Sequence, residues 1–202
     1  MVRPVAILAL QGAVEPHRVK LSELGEEGVP VRTAEELAAC RGLILPGGES
    51  TTLLNLIEHY RLAEPLAEFA AAHPVWGVCA GAILMAERVE NPEQVSFGWM
   101  PLTVRRNAYG RQNESFIDRV ALKLPGQPPA QMEGVFIRAP RIVEANGGLT
   151  VLAEHGGSPV TVQYGHHLAT TFHPELSSSQ ALHRHFLSLC DGAAERSGRR
   201  LA

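Results

Sequence analysis

Lysine, cysteine and long apolar runs are scarce in this chain, and each scarcity removes a class of explanation. Only Lys20 and Lys123 are lysines, and the formal net charge is −3, which gives no electrostatic case for binding nucleic acid or an anionic membrane. Arginine used in place of lysine fits high genomic GC as readily as heat adaptation and fixes no working temperature. The three cysteines, Cys40, Cys79 and Cys190, are odd in number, far apart and form no C-x-x-C. Neither a disulfide framework nor a zinc site is indicated, and a reduced, cytoplasmic setting without metal or cofactor is the expectation. No run of about eighteen apolar residues exists to span a membrane. The apolar start, Val5 to Leu10, is too short for a signal peptide and reads as a strand. Repeats and low-complexity segments are absent. The glycine-rich segment at Pro46 lacks the lysine of a phosphate loop.

What remains is an ordinary soluble composition: 202 residues, 45% hydrophobic and 19% charged, enough for one domain with a sizeable core. Val5–Leu10, Val29–Arg32, Gly42–Leu45 and Val75–Val78 are short apolar runs, as strands buried on both faces should be. Between them lie helical patterns: one with Val14, His17, Val19 and Leu21 to Leu24 near its apolar side, then Ala34–Ala39 capped by Thr33, Leu53–Ile57 and Leu62–Ala72. Alternating strand and helix predicts a parallel sheet covered on both faces. From Asn91 the pattern shifts to short strands (Leu102–Arg105, Phe116–Leu122, Gly134–Ile137, Thr150–Ala153, Val160–Gln163 and His167–Phe172), some of them antiparallel additions beside or across the main sheet. Ser177–Leu189 returns to helical spacing. The prediction is a single three-layer α/β domain over residues 1–191, with a flexible tail over 192–202.

Ligands of such sheets sit beyond the carboxyl ends of the strands, and three of those ends carry chemistry. Gly77-Val78-Cys79-Ala80-Gly81 is the cysteine form of the G-x-S-x-G nucleophile elbow, a sharp strand-to-helix turn that exposes the nucleophile. A helix N-terminus there favours a thiolate. A buried cysteine in an ordinary turn is the plain alternative. His173-Pro174-Glu175 follows an apolar strand. In extended chain, residues two apart share a side, so Glu175 can hold one imidazole N–H and orient His173. A cysteine, a histidine and an acid in these roles form a nucleophile, base and orienter. The oxyanion of acyl transfer needs backbone N–H donors, for which Ala80 and the Gly47-Gly48 pair are candidates. Gln11, at the end of the first strand, is a candidate for an oxyanion-loop or interface role. His166-His167 lacks an acid, and His183 and His185 lie two apart on a helix, where they do not face each other.

Leu45-Pro46-Gly47-Gly48-Glu49-Ser50, the Cys79 elbow and His173-Pro174-Glu175 together resemble the class I, triad glutamine amidotransferases. Leu8-Ala9-Leu10-Gln11-Gly12, Arg106-Asn107-Ala108-Tyr109-Gly110-Arg111-Gln112 and Phe136-Ile137-Arg138-Ala139-Pro140 narrow the likeness to the glutaminase subunits of pyridoxal 5′-phosphate synthases. The likeness spans Val5 to about Leu189. It departs from the family at Val78, where threonine is expected, and in the serine-rich run Ser177–Gln180. The resemblance implies that Cys79 attacks the side-chain amide of glutamine, that His173 moves the protons and that Glu175 orients it. It implies substrate binding by Gly47, Gly48, Glu49, Ser50, Arg106, Ile137 and Arg138. It also implies a partner, the barrel-shaped synthase subunit, which takes the ammonia and activates the glutaminase on docking. Two rivals stay open: a glutaminase subunit of another pathway, which the 106–112 and 136–140 runs argue against, and a non-catalytic or redox-sensing protein, for which a base–acid pair is superfluous.

Overall fold

The computed structural model describes residues 2–108 and 115–200, with side chains through residue 193. Tyr109-Gly110-Arg111-Gln112 of the arginine-rich motif and the arginines near the C-terminus, as side chains, lie outside the described residues. The parallel strands are β1 (Val5–Leu8), β2 (Gly28–Val31), β3 (Gly42–Leu45) and β4 (Val75–Val78). Around them lie α1 (Val14–Glu23), α2 (Ala34–Ala38), α3 (Ser50–His59), α4 (Ala63–Ala72) and α5 (Ala80–Met85). The second half adds β5 (Ala86–Glu90), β6 (Met100–Arg105), β7 (Ser115–Leu122), β8 (Ala130–Ile137), β9 (Arg141–Ala145), β10 (Thr150–His155), β11 (Ser158–Tyr164) and β12 (His167–Thr170), then α6 (Ala181–Arg200).

The main sheet has nine strands in the order β2-β1-β3-β4-β12-β11-β10-β7-β8. It is parallel from β2 to β12 and antiparallel beyond. A second sheet, β5-β6-β9, mixes one parallel and one antiparallel pairing. The period of two sorts the strand residues onto two cores. Ala6, Leu8, Leu43, Leu45 and Val75 face one. Val5, Ile7, Ile44, Trp76 and Val78 face the other. Each large apolar side chain so buried contributes about 1.5–3 kcal/mol, which is why these four-residue strands need no polar face. Thr33 caps α2 in a reciprocal box with Glu36, as its position before the helix predicts.

Three expectations need correction. β5 and β9 were not predicted, because each mixes exposed charges with few apolar residues and pairs only within the small sheet. The last helix runs beyond Leu189 to Arg200, since Gly192 and Gly198, six residues apart, do not break a helix in which alanine, glutamate and arginine are good formers. His173-Pro174-Glu175 is not extended chain: Pro174–Leu176 is a 3₁₀ turn with His173 at its head, the proline sitting where its missing N–H leaves nothing unsatisfied.

Candidate active site

The elbow forms because two glycines clear its way. An added Cβ on Gly77 would stand 2.6 Å from the Gly81 backbone, and one on Gly81 would stand 2.1 Å from the Leu45 carbonyl oxygen. Strand, turn and helix therefore close-pack only without those carbons. The strain falls on Cys79 itself, with φ 50° and ψ −100°, a conformation that a non-glycine residue holds only when its surroundings over-determine it. The Cys79 N–H donates to the Thr170 carbonyl (2.8 Å), and its own carbonyl accepts from Ile83 (3.2 Å). Those bonds tie the nucleophile's backbone to β12 and α5.

β12 lies beside β4 with Thr170 opposite Val78, so the residues leaving both strands emerge at one edge. The His173 N–H is anchored on the Val135 carbonyl of β8 (2.8 Å). Its Nδ1 meets Glu175 Oε1 at 2.7 Å, so the pairing predicted from sequence exists, through a 3₁₀ turn rather than a strand. Nε2 is left free for a second partner, and Cys79 lines the same cavity as His173. Cys79, His173 and Glu175 are all buried. Burial alone would pull the imidazole down, but hydrogen bonds to Cys79 and Glu175 and their negative charge outweigh it and raise His173 to about 10. Burial would raise the Glu175 carboxyl, yet the His173 hydrogen bond and the nearby imidazoles hold it below its ordinary value. His173 is thus protonated at neutral pH and Glu175 ionised.

Cys79 and His173 face a cavity of about 370 Å³, and Glu175 lies behind them. Gly47, Gly48, Glu49, Ser50, Arg106, Ile137 and Arg138 all line it together with Cys79 and His173. Every residue to which the resemblance assigns substrate binding is thus brought to one place from three separate segments. Ala80 sits directly behind, at the first position of α5. Gly47 touches the His173 imidazole so closely that an added Cβ would stand 2.3 Å from its Cε1. The Gly47 carbonyl is held by the Ala13 N–H (3.1 Å). Gln11 packs on Gly48 and accepts from the Glu49 N–H (3.0 Å), which places it against the glycine pair.

The charged wall differs in detail from a simple ammonium-and-carboxylate picture. The Glu49 carboxylate caps α3, accepting from the N–H groups of Thr51 and Thr52 and the Thr52 hydroxyl. It also pairs with Arg106 at 3.1 Å. Despite partial burial, those bonds hold Glu49 below its ordinary value. Ser50 donates to Gln94 Oε1 (2.8 Å). Arg138, held at φ 45° just past β8, makes no hydrogen bond or ion pair among the described residues.

The remaining candidates fall elsewhere. Cys40 and Cys190 are buried, and burial raises both thiols, Cys190 to about 12. His167 lies at the opposite end of β12, where its Nδ1 accepts from the Val75 N–H (3.2 Å). His185 pairs with Gln163 (2.7 Å). Among the described residues no three His, Cys, Asp or Glu side chains gather as a metal cluster, and no helix is long and apolar enough to cross a membrane. Sequence reasoning missed the surroundings of Glu175: His17, fully buried on α1, approaches it from behind at 3.7 Å. The signal was the stripe Val14, His17, Leu21 and Leu24, a polar residue in an apolar face at helical spacing.

Comparison with known proteins agrees with this geometry. The profile of the SNO glutamine amidotransferase family matches residues 7–191. A protein of Solibacter usitatus named pyridoxal 5′-phosphate synthase subunit PdxT is 46% identical, covering 92% of this chain and 98% of its own. A protein of the same name from Koribacter versatilis is 47% identical, covering 92% and 94%. A crystal structure described as a glutamine amidotransferase superposes with a TM-score of 0.85 at 40% identity, covering 93% of this chain and 98% of its own.

Proposed function

The chain belongs to the SNO glutamine amidotransferase family, and from that premise we propose how its residues carry out the reaction. It is a glutaminase that supplies ammonia for vitamin B6 synthesis. In our reading the Cys79 sulfur attacks the side-chain amide carbon of glutamine, and the carbonyl oxygen takes the negative charge. The backbone N–H groups of Ala80 and Gly48 receive that oxyanion, each such donor contributing roughly 2.7–4 kcal/mol in comparable sites. His173, already protonated, gives its proton to the leaving nitrogen, and ammonia departs from a glutamyl thioester. The imidazole, now neutral, takes a proton from water as that water attacks the thioester. Glutamate leaves, and sulfur and imidazole return to their starting states. Gly47, Gly48, Glu49, Ser50, Ile137 and the cationic side chains of Arg106 and Arg138 hold the amino-acid end of the substrate, charge-assisted pairing being the strongest recognition available there.

Free ammonia is protonated in water and loses its nucleophilicity, so the product is useful only beside an enzyme that consumes it. The partner is a pyridoxal 5′-phosphate synthase subunit, to which this chain delivers ammonia and whose docking raises the glutaminase rate.

The observation that carries the proposal is His173, hydrogen-bonded to Glu175, sharing with Cys79 a cavity lined by every assigned substrate residue. The test is glutamate release from glutamine, with and without the synthase subunit, for the wild type and Cys79→Ala. Release should require Cys79 and rise with the synthase, and the variant should fall below about one-thousandth of wild type. Release that survives Cys79→Ala overturns the nucleophile; an undiminished rate without the synthase overturns the dependence on docking.

A further inference from the structure

Glu175 uses only one of its oxygens on His173. Oε1 accepts from Nδ1, while Oε2 is buried and has no hydrogen bond of ordinary length. A carboxylate oxygen without a donor in a dry site is costly. Facing it at 3.7 Å is His17 Nε2, itself buried and otherwise unpartnered, and neither side chain has any exposed surface. The other nitrogen of His17, Nδ1, lies 3.1 Å from His183 Nε2 on α6. Trp76 stacks edge-on against both imidazoles, at 5.7 and 4.8 Å between ring centres. It is locked by its own indole N–H, which donates to Thr170 Oγ1 (3.2 Å). Two orphaned polar atoms thus point at each other directly behind the catalytic pair, in a packed apolar setting.

The protonation states follow from this geometry. Burial pushes His17 down to about 4 and His183 to about 2, so each is neutral and carries one N–H. A lone pair of His17 aimed at the carboxylate would be repelled, which puts the His17 proton on Nε2. Nδ1 must then accept, so His183 Nε2 donates. One tautomer set satisfies both contacts of this line, with both N–H groups pointing toward Glu175, and leaves the buried His183 Nδ1 as an acceptor without a partner.

We propose that His17 is a positioning residue of the glutaminase: its Nε2–H holds the free oxygen of Glu175, and His183 holds His17 in the tautomer that can do so. The proposal rests on the reading of Cys79, His173 and Glu175 given above. Its purpose shows when ammonia leaves. His173 gives up its Nε2 proton and Glu175 loses its cationic partner. The neutral imidazole must then keep its proton on Nδ1 and present a bare Nε2 to water, and it does so only while Glu175 Oε1 accepts from Nδ1. A second donor on Oε2 fixes the carboxylate in the orientation in which Oε1 makes that bond; without it the bond to His173 weakens. The separation is 3.7 Å, from which catalytic contacts commonly tighten when substrate binds. The titratable and charged groups around this line are Cys79 and His173 on the cavity side. On the far side they are His183 and Lys20, whose charge bears on His183.

Three substitutions separate positioning from packing. His17→Gln keeps a donor where Nε2 stands, His17→Asn keeps one where Nδ1 stands, and His17→Leu keeps neither. Each is assayed for glutamate release with the synthase subunit, and for Cys79 alkylation by iodoacetamide as a function of pH without glutamine or partner. The expected result is a kcat about tenfold lower in His17→Leu at unchanged KM, the scale on which orienting partners act. Its alkylation profile moves to lower pH at the alkaline limb, and His17→Gln restores both readouts while His17→Asn does not. If His17→Leu does not fold, the glutamine and asparagine variants decide by the same contrast. Equal behaviour of those two, a change confined to KM, or a wild-type profile in folded His17→Leu overturns the proposal. The wild-type rate and Cys79→Ala report on the glutaminase reading alone, so the two failures cannot be confused.

Discussion

The His173 imidazole has two unlike sides. Its cavity side is built from loops at strand ends, with glycine backbone, Glu49 and Arg106 open to solvent. Its rear is built from α1, β4 and α6, with Glu175, His17, His183 and Trp76 all buried. Charge on the cavity side is screened and exchangeable with a substrate. Charge on the rear is desolvated, so small changes in hydrogen bonding there move protonation states by large amounts. In the proposed mechanism the difference divides the work: the open side selects glutamine, and the closed side sets where protons rest. Substitutions on the two sides should therefore fail in different ways.

The largest effect should come from the rear. Glu175→Gln removes the charge that, with Cys79, holds His173 near 10, and leaves only a neutral amide oxygen to accept from Nδ1. His173 then titrates at lower pH, and the alkaline limb of kcat moves down with it, while kcat falls roughly 10²–10⁴-fold, as when other triad orienters are neutralised. Stability follows the same sign. A histidine whose folded value is raised contributes stability below its unfolded value of 6.5, and loses that contribution as pH rises from 6.5 through about 10. In Glu175→Gln this alkaline loss should shrink, which thermal melts at pH 6 and pH 10 would register. An alkaline limb that stays in place would mean that Glu175 does not set the proton on His173.

Gly47→Ala tests the boundary between the two sides. Its Cβ would sit 2.3 Å from His173 Cε1, and the ring is pinned by Glu175 and cannot yield freely. Displacing a reacting group by about 1 Å costs roughly 10²-fold in rate. The expected outcome is a kcat down about that far in a folded protein, seen by comparing circular dichroism with glutamate release. A wild-type rate would show that the imidazole moves without penalty.

What could be read from sequence divides along the same line. The cavity side was legible because turns and backbone approach demand particular residues at fixed spacing: Gly77 and Gly81 around Cys79, Gly47 and Gly48 before Glu49. The parallel strands were legible because burial on both faces leaves nothing but apolar runs. β5 and β9 were not, since a strand such as Ala86–Glu90, with Glu87 and Arg88 exposed, carries no periodic apolar signal. The rear was not legible either. His17 reads as one more member of a helical stripe, and its partner His183 lies 166 residues away, a distance no local pattern spans. The histidine–acid pair was anticipated with the wrong backbone, because a 3₁₀ turn and an extended chain can both bring residues two apart together.

The smallest effect should come from Arg106→Gln, and its value lies in what it leaves unchanged. The guanidinium pairs with Glu49 across the cavity mouth at 3.1 Å, and Glu49 keeps its three bonds to the start of α3 without it. The loop therefore stays capped and the fold intact. What disappears is a positive charge where an amino-acid substrate must bind, and a charge-assisted hydrogen bond of about 1.5–3 kcal/mol corresponds to a KM raised roughly 10–100-fold. The pH profile of kcat should not move, because Arg106 exerts no resolved influence on His173 or Glu175. A KM rise with a fixed profile, set against a shifted profile at fixed KM in His17→Leu, would separate selection from proton control on the two faces of one imidazole. A shifted profile in Arg106→Gln would dissolve the separation, by showing that the open side reaches the proton as well.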